Sequence, residues 1–208
     1  ALPLSLDDVV VGQYTAAPGV EREVKGYREE EGVARDSLTP TFAAARLEID
    51  CPRWKGVPFF LSAGKGLDRK CNSIRILFKK AGSSMFCGGS GFWPANELVI
   101  QIQPNESIEL RIMNKEPGLG MKLVESELDL RYETAFMQVI TGAYERLLLD
   151  VIAEDKSLFI RSDELEAAWN IFTPVLHGME QRAIEPEPYV LGGRGTEVKI
   201  VRKGNRND

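Results

Sequence analysis

The stretch RWKGVPFFLSAGKGLDRK, from Arg53 to Lys70, sets the expected fold and the first candidate site. Its apolar run, residues 57–61, is typical of a short strand, and it leads directly into the glycine-flanked Lys65. Glycine permits tight turns with positive φ, and a lysine ammonium is a compact charge that binds phosphate oxygens without a fixed approach direction. With Arg69 and Lys70 close behind, this strand and turn form a candidate phosphate grip.

The composition indicates an ordinary globular protein. The chain has 208 residues, of which 43% are hydrophobic and 27% charged, so it is long enough for one large domain or two small ones. The net charge of −5 disfavours nucleic-acid binding, which depends on a cationic surface. We find neither a bilayer-length apolar run nor a secretory signal, and we therefore expect a soluble, intracellular protein with no membrane contact.

The cysteines do not indicate a metal site. Cys51, Cys71 and Cys87 are an odd number and have neither CxxC nor Cys/His spacing. We expect buried or half-buried thiols, with redox control as the alternative.

Alternation of apolar and polar residues predicts a sheet. Residues 1–40, with their many glycines and prolines, are expected to form an extended surface segment with at most short regular pieces. Strands are then predicted at residues 42–50, 57–61, 73–79, 98–103, 108–112 and 124–131, the fourth and fifth joined at Pro104-Asn105. Because the later strands follow one another without helices, we expect an α+β fold with a large, mainly antiparallel sheet.

Helical spacing begins only after the strands. It predicts a helix over about 143–153 and a second helix with Ser162 as N-cap, which Pro174 kinks or shortens. We expect these helices to pack on one face of the sheet. Residues 1–195 are predicted to form one domain, and residues 196–208 a divergent, mobile tail.

Several phrases together resemble one protein family. They are VVGQY (10–14), TPTFAA (39–44), RWKGVPFFLSAGKGL (53–67), LVIQIQPNE (98–106), KEPGLGM (115–121), ELDLRY (127–132), AYERLLLD (143–150) and RSDELEAAWNIFTPVL (161–176). In this order the chain is similar to the C-terminal domain of glucose-6-phosphate dehydrogenase, over about Leu4 to Gly195. The resemblance implies an antiparallel sheet with helices on one face, preceded by a dinucleotide-binding domain.

The resemblance also implies an activity. Members of this family are oxidoreductases that use NADP to oxidise glucose 6-phosphate to 6-phosphogluconolactone, which opens the oxidative pentose phosphate pathway of carbohydrate metabolism. Lys65 and Lys70 are implied as contacts of the substrate phosphate, and Gln103 as part of the sugar pocket. The polar sheet face between Gln101 and Arg131 is implied as the interface of a homodimer or homotetramer.

The departures from the family matter as much as the matches. The chain contains neither a glycine-rich dinucleotide fingerprint nor the family's catalytic histidine segment, and His177, near a helix end, matches no catalytic motif. No residue is therefore assigned a catalytic role, and whether the chain is an enzyme stays open. Alone, it is expected to be inactive, as a fragment or a truncated product would be.

Some eukaryotic members carry a second, structural NADP on the polar sheet face. The positions implied for it here are Arg75, Arg111, Asp129 and Arg194. Ser62, Cys71, Gln101 and Glu109 stand where those members have basic or aromatic groups. Because charge-assisted bonds contribute most to holding a multiply charged ligand, we expect no tight structural NADP site.

Two other functions remain open. The chain is alternatively a non-catalytic interaction protein that pairs through its sheet face with itself or with a complete dehydrogenase subunit. A third reading is a module that binds or senses a sugar phosphate. We expect a cytoplasmic location, with the plastid stroma as the alternative.

Overall fold

The computed structural model describes residues 1–16, 25–80, 94–120, 122–136 and 142–196. Within these ranges the strands are β1 Val9–Thr15, β2 Phe42–Glu48, β3 Pro58–Gly64, β4 Asn72–Leu77, β5 Glu97–Gln103, β6 Ser107–Lys115, β7 Leu123–Arg131 and β8 Glu187–Val190. The helices are α1 Tyr132–Phe136, α2 Ala143–Ile152 and α3 Ser162–Gln181. Two compact units result, one of Ala1–Arg69 with the chain from Ser157 onward, the other of Lys70–Lys156.

The first unit is built on a four-stranded sheet in the order β3-β2-β1-β8. Strands β1, β2 and β3 pair antiparallel, and β8 pairs parallel with β1. Tyr14, Phe42, Ala44 and Tyr189, one or two from each of three strands, form a buried apolar cluster. Strands from early and late in the chain thus share one core, because β8 lies beside β1.

The prediction of a surface segment for residues 1–40 is wrong for β1. Instead of a surface segment, β1 is an inner strand of the sheet, and its residues 11–14 are buried. Buried Gln13 donates from Nε2 to the carbonyls of Ser37 (2.9 Å) and Thr39 (3.0 Å). The polar residues that obscured the strand in the sequence are therefore satisfied inside the fold.

The second unit contains a regular antiparallel sheet in the order β4-β5-β6-β7. The predicted strands at residues 73–79, 98–103, 108–112 and 124–131 are confirmed within a few residues. The hairpin at Pro104-Asn105 is also confirmed, with Asn105 at a φ of 59°. Strict alternation identified these strands because each has one apolar and one polar face.

The α+β fold class is confirmed, but the strands are divided between two four-stranded sheets rather than joined in one. The division falls after β3. There the chain turns at Gly66, whose φ is 58°, and runs beside Gly193 before β4 begins. This turn, rather than a direct β3–β4 ladder, follows the end of β3.

The helices match the predicted spans, with two differences. Ser162 is the first residue of α3 rather than its cap, which is Arg161, and Arg161 pairs with Asp163 instead. Pro174 lies inside α3 and does not shorten it, since the helix continues to Gln181. In the first unit, α3 packs against a 3-10 turn, Leu6–Asp8, where Leu6 lies next to Gly178.

Thr196 is buried beside Gly12, and the remainder of the predicted tail, residues 197–208, lies outside the described residues. In the ranges that are described, no helix is both long and apolar enough to cross a membrane.

Candidate functional site: the Gly64-Lys65-Gly66 turn and the polar sheet face

The turn after β3 depends on both of its glycines. A Cβ on Gly64 would lie 2.7 Å from Cδ2 of Phe42, and a Cβ on Gly66 would lie 2.0 Å from Cδ1 of Leu191. Gly66 also has a φ of 58°, a conformation that other residues adopt only with strain. The sequence pattern of a glycine on each side of Lys65 is thus explained by close packing on both sides.

Hydrogen bonds hold the backbone of Lys65 on both sides. Its N–H donates to the carbonyl of Thr41 (2.8 Å), and its carbonyl accepts from the hydroxyl of Tyr189 (2.7 Å). The side chain, in contrast, is exposed, and its ammonium has no hydrogen bond or ion pair to any residue that the structure describes. The turn therefore presents an unneutralised cation from a fixed backbone, as a phosphate contact requires.

A second chain segment supports the turn from its other side. Gly192 N–H donates to Gly66 carbonyl (2.7 Å), Asp68 N–H donates to Gly193 carbonyl (2.8 Å), and Leu67 forms a parallel bridge with Gly193. Proline and glycine suggest loop in this segment, so sequence reasoning missed it. The residues of β8 do not alternate, since only Tyr189 is buried and its three neighbours in the strand are exposed.

Lys70 and Gln103 belong to the other unit and lie at one end of its sheet. Asn72, two residues after Lys70, is the Cα partner of Gln103 in the β4–β5 ladder. Both predicted contacts are exposed, and the carbonyl of Gln103 accepts from Nε2 of Gln101 (2.7 Å). Lys65 is part of the first unit, so two of the three implied substrate contacts are brought together within one unit.

The polar face of the second sheet carries a network of ion pairs centred on Glu97. The Glu97 carboxylate accepts two hydrogen bonds from Arg75, at 2.8 Å from Nε and 3.0 Å from Nη2, and contacts Arg111 Nη1 at 3.4 Å. Arg111 also pairs with Glu109 (3.2 Å) and Glu127 (3.1 Å). The bonds from Arg75 lower the pKa of Glu97, and the Glu97 carboxylate raises that of Arg75.

The other two positions implied for a structural NADP are also paired. Asp129 accepts from Arg131 (2.7 Å) on the same face, and Arg194, in the first unit, lies 4.0 Å from Asp68. On the sheet face, three arginines therefore meet four carboxylates. A dinucleotide with several phosphate charges would have to displace these carboxylates, so the groups present do not fit a tight NADP site.

The opposite face of that sheet is apolar, and within the described part of the chain its edges are exposed. Its residues form two cross-strand rows, Ile76-Leu98-Leu110-Leu128 and Ile74-Ile100-Ile108-Leu130. The edge members are open to solvent, with Ile74 50% and Leu128 59% exposed. An apolar surface of this kind is typical of one that another part of a protein covers.

The ring of Tyr14 also lies near the turn, but its hydroxyl is bonded elsewhere. The hydroxyl of Tyr14 donates to a carboxylate oxygen of Glu30, while its ring packs edge-to-face with Tyr27 and Tyr189. Burial, together with this carboxylate, raises the pKa of Tyr14 to about 12. Tyr14 thus offers a comparison for the Tyr189 hydroxyl, with a similar environment and a different partner.

Comparison with known proteins assigns this arrangement to a family. The family model described as glucose-6-phosphate dehydrogenase, C-terminal domain, matches residues 3–204, past Gly195 where the resemblance was expected to end. A chloroplastic glucose-6-phosphate 1-dehydrogenase of Nicotiana tabacum is 50% identical over 196 residues, which are 93% of this chain and 33% of that protein. The glucose-6-phosphate 1-dehydrogenase of Dictyostelium discoideum is 46% identical over 194 residues, covering 93% of this chain and 38% of that protein.

Solved structures give the same result. A glucose-6-phosphate dehydrogenase in complex with its substrate glucose-6-phosphate superposes with a TM-score of 0.88 at 38% identity, covering 97% of this chain and 41% of that one. The enzyme from Mycobacterium avium gives a TM-score of 0.74 at 32% identity, with 94% and 38% covered. The chain thus spans roughly a third to two fifths of the proteins it matches. It belongs to the glucose-6-phosphate dehydrogenase family and corresponds to the C-terminal domain.

Proposed function

We propose that this chain is the substrate-contacting and oligomerising part of an NADP-dependent glucose-6-phosphate dehydrogenase, which oxidises glucose 6-phosphate to 6-phosphogluconolactone. The observation that carries the proposal is the exposed ammonium of Lys65 on a backbone held by Thr41 and Tyr189. One solved relative is the complex of such an enzyme with glucose 6-phosphate, which supports the substrate class.

The contacts follow from charge and placement. Lys65 and Lys70 bind the phosphate, because unneutralised ammonium groups form charge-assisted bonds to its oxygens. Gln103 supplies an amide to the sugar hydroxyls. The group that accepts the proton and the site for the NADP that receives the hydride lie in the part of the enzyme outside the region that this chain corresponds to. The single histidine of this chain, His177, lies on α3 and is not assigned the role of proton acceptor.

The test joins the N-terminal part of the tobacco relative to this chain and measures NADP reduction with glucose 6-phosphate. Lys65→Ala should raise KM for glucose 6-phosphate about 10- to 100-fold, the loss of one charge-assisted bond. Lys55→Ala is the matched control, because Lys55 is also an exposed lysine, in the turn before β3. Equal KM values for the two variants would reject Lys65 as a substrate contact, and activity of the unfused chain would reject its dependence on the remaining part.

The charged face of β4–β7, where three arginines meet four carboxylates, favours a second candidate, an interaction protein without catalysis. In that case the chain alone pairs through the polar face of β4–β7 with a second copy or with a complete dehydrogenase subunit. Sedimentation should then show a dimer that Arg111→Glu dissociates, since this change adds a carboxylate to the face and removes an arginine from it. A monomer at all concentrations, with no capture of the complete enzyme, would reject this candidate.

Calorimetry separates the third candidate, a sugar-phosphate module. It requires the unfused chain to bind glucose 6-phosphate, with the binding lost in Lys65→Ala.

We place the protein in the cytoplasm, with the plastid stroma as the alternative, since a chloroplastic relative is among the matches. Organelle fractionation of cells that express the complete protein distinguishes the two compartments.

A further inference from the structure

The Tyr189 hydroxyl joins three chain segments at one point. It lies 2.7 Å from the carbonyl of Lys65, 2.9 Å from Oγ1 of Thr41 and 3.3 Å from the carbonyl of Thr41. Tyr189 belongs to β8, Thr41 lies just before β2, and Lys65 follows β3. Tyr189 is only 5% exposed, so water does not replace these bonds.

The protons of this network can be assigned from its donors and acceptors. Thr41 Oγ1 already accepts from the N–H of Tyr14 (2.9 Å), so it is free to donate its own proton to the Tyr189 oxygen. The single Tyr189 proton then goes to its nearest acceptor, the carbonyl of Lys65. Each of the two hydroxyls thus donates one hydrogen bond and accepts one. Tyr189 therefore binds the Lys65 carbonyl directly, and it also binds Thr41, whose carbonyl accepts the Lys65 N–H.

The ring fixes the position of the hydroxyl. It packs edge-to-face on Phe42 at 5.8 Å and on Tyr14 at 6.3 Å between ring centroids. Phe42 is also the side chain against which Gly64 lies. The same packed ring therefore fixes one glycine of the turn through Phe42 and the Lys65 carbonyl through its hydroxyl.

We infer that Tyr189, with Thr41, is a positioning residue for glucose 6-phosphate binding, because their hydroxyls fix the backbone from which Lys65 reaches the phosphate. The inference rests on the proposed function for Lys65. Neither hydroxyl touches the substrate; each acts through the Lys65 backbone. Their removal should weaken substrate binding and leave the chemical step unchanged.

The matched pair for the test is Tyr189→Phe and Tyr14→Phe. Both changes remove one buried hydroxyl from the same aromatic cluster, but only the first frees the Lys65 carbonyl. In the fused enzyme, Tyr189→Phe should raise KM for glucose 6-phosphate about two- to tenfold, the loss of one hydrogen bond, with kcat and KM for NADP unchanged. Tyr14→Phe should leave all three constants as they are.

A second pair protects the test against a folding defect in one variant. Thr41→Val removes the hydroxyl and should raise KM like Tyr189→Phe, whereas Thr41→Ser keeps it and should restore the original KM. Amide hydrogen exchange in the unfused chain gives a readout independent of activity. Exchange at Lys65 N–H should quicken about two- to tenfold in Tyr189→Phe relative to Tyr14→Phe.

The outcomes separate this inference from the proposed function. If Lys65→Ala raises KM but Tyr189→Phe behaves like Tyr14→Phe, the positioning role is rejected and the substrate contact stands. If exchange at Lys65 quickens in Tyr189→Phe while Lys65→Ala leaves KM unchanged, the Tyr189 hydroxyl does fix the Lys65 backbone. The substrate contact of Lys65 is then rejected, and so is the role of Tyr189 in substrate binding.

Discussion

Replacement of Gly66 by alanine tests how tightly the turn is packed. The residue has a φ of 58°, and an added Cβ would lie 2.0 Å from Cδ1 of Leu191. A left-handed conformation costs a residue other than glycine about 1–2 kcal/mol, and a forced contact in a packed site costs at least about 1 kcal/mol more. Because the Leu191 methyl group is the end of a rotatable side chain, we expect Gly66→Ala to lower the free energy of unfolding by about 2–3 kcal/mol.

Gly56→Ala separates strain from contact. Gly56 has a φ of 78°, but nothing lies within 4 Å of its added Cβ, so only the strain of about 1–2 kcal/mol should appear. Urea unfolding followed by circular dichroism measures both. In a Leu191→Ala background the two glycine substitutions should cost the same, because the obstructing methyl group is gone. Equal costs in the original chain would refute the close packing of Leu191 on the turn.

Three further predictions concern charge and ionisation. Glu97→Gln should lower the free energy of unfolding by about 1 kcal/mol at pH 7. Because the pKa of Glu97 in the folded protein lies below its ordinary 4.5, this difference in stability should be present above pH 4.5 and vanish in more acidic solution. Urea titrations at several pH values measure it. Since the pKa of Tyr14 is raised from 10.0 to about 12, its contribution to stability should be complete below pH 10 and decline between those values, and Tyr14→Phe should abolish the decline in alkaline unfolding curves. Fluorescence titration of the chain with NADP should show no tight binding, and micromolar or stronger binding that Arg75→Ala removes would contradict the pairing of Arg75 with Glu97.

The second sheet could be predicted almost completely because local pattern determines it. In β4 to β7 the apolar residues alternate with charged ones, as Ile74 and Ile76 do with Arg75, and each strand pairs with the next one along the chain. Both faces can thus be read from the sequence alone. The pairing of Arg75 with Glu97 could not, because it depends on the register between two strands rather than on the order of residues within one.

The first sheet was harder to predict because its decisive contacts join distant residues. Strand β8 has only four residues, includes Pro188, and is ordered by parallel pairing with β1. No local signal indicates such a partner. For the same reason the sequence identified Lys65 as a candidate contact but not Tyr189, whose hydroxyl binds the Lys65 carbonyl. A glycine-flanked lysine is visible in one stretch of sequence, whereas the bond from Tyr189 forms only when β8 pairs with β1.

The physical demands on the turn explain why it combines a fixed backbone with a free side chain. Ordering one residue's backbone costs about 1–2 kcal/mol, and a glycine loses the most freedom. In Gly64-Lys65-Gly66 this cost is met during folding, through the bonds from Thr41, Tyr189 and Gly192. In the phosphate binding that we propose, only the lysine side chain has still to be ordered. The glycines are needed so that Phe42 and Leu191 can pack closely on the turn. The strand from residues 187 to 190 is needed because glycines alone would leave the turn backbone flexible. On this reasoning, a phosphate grip built on flexible glycines gains affinity from the rigid segment beside it.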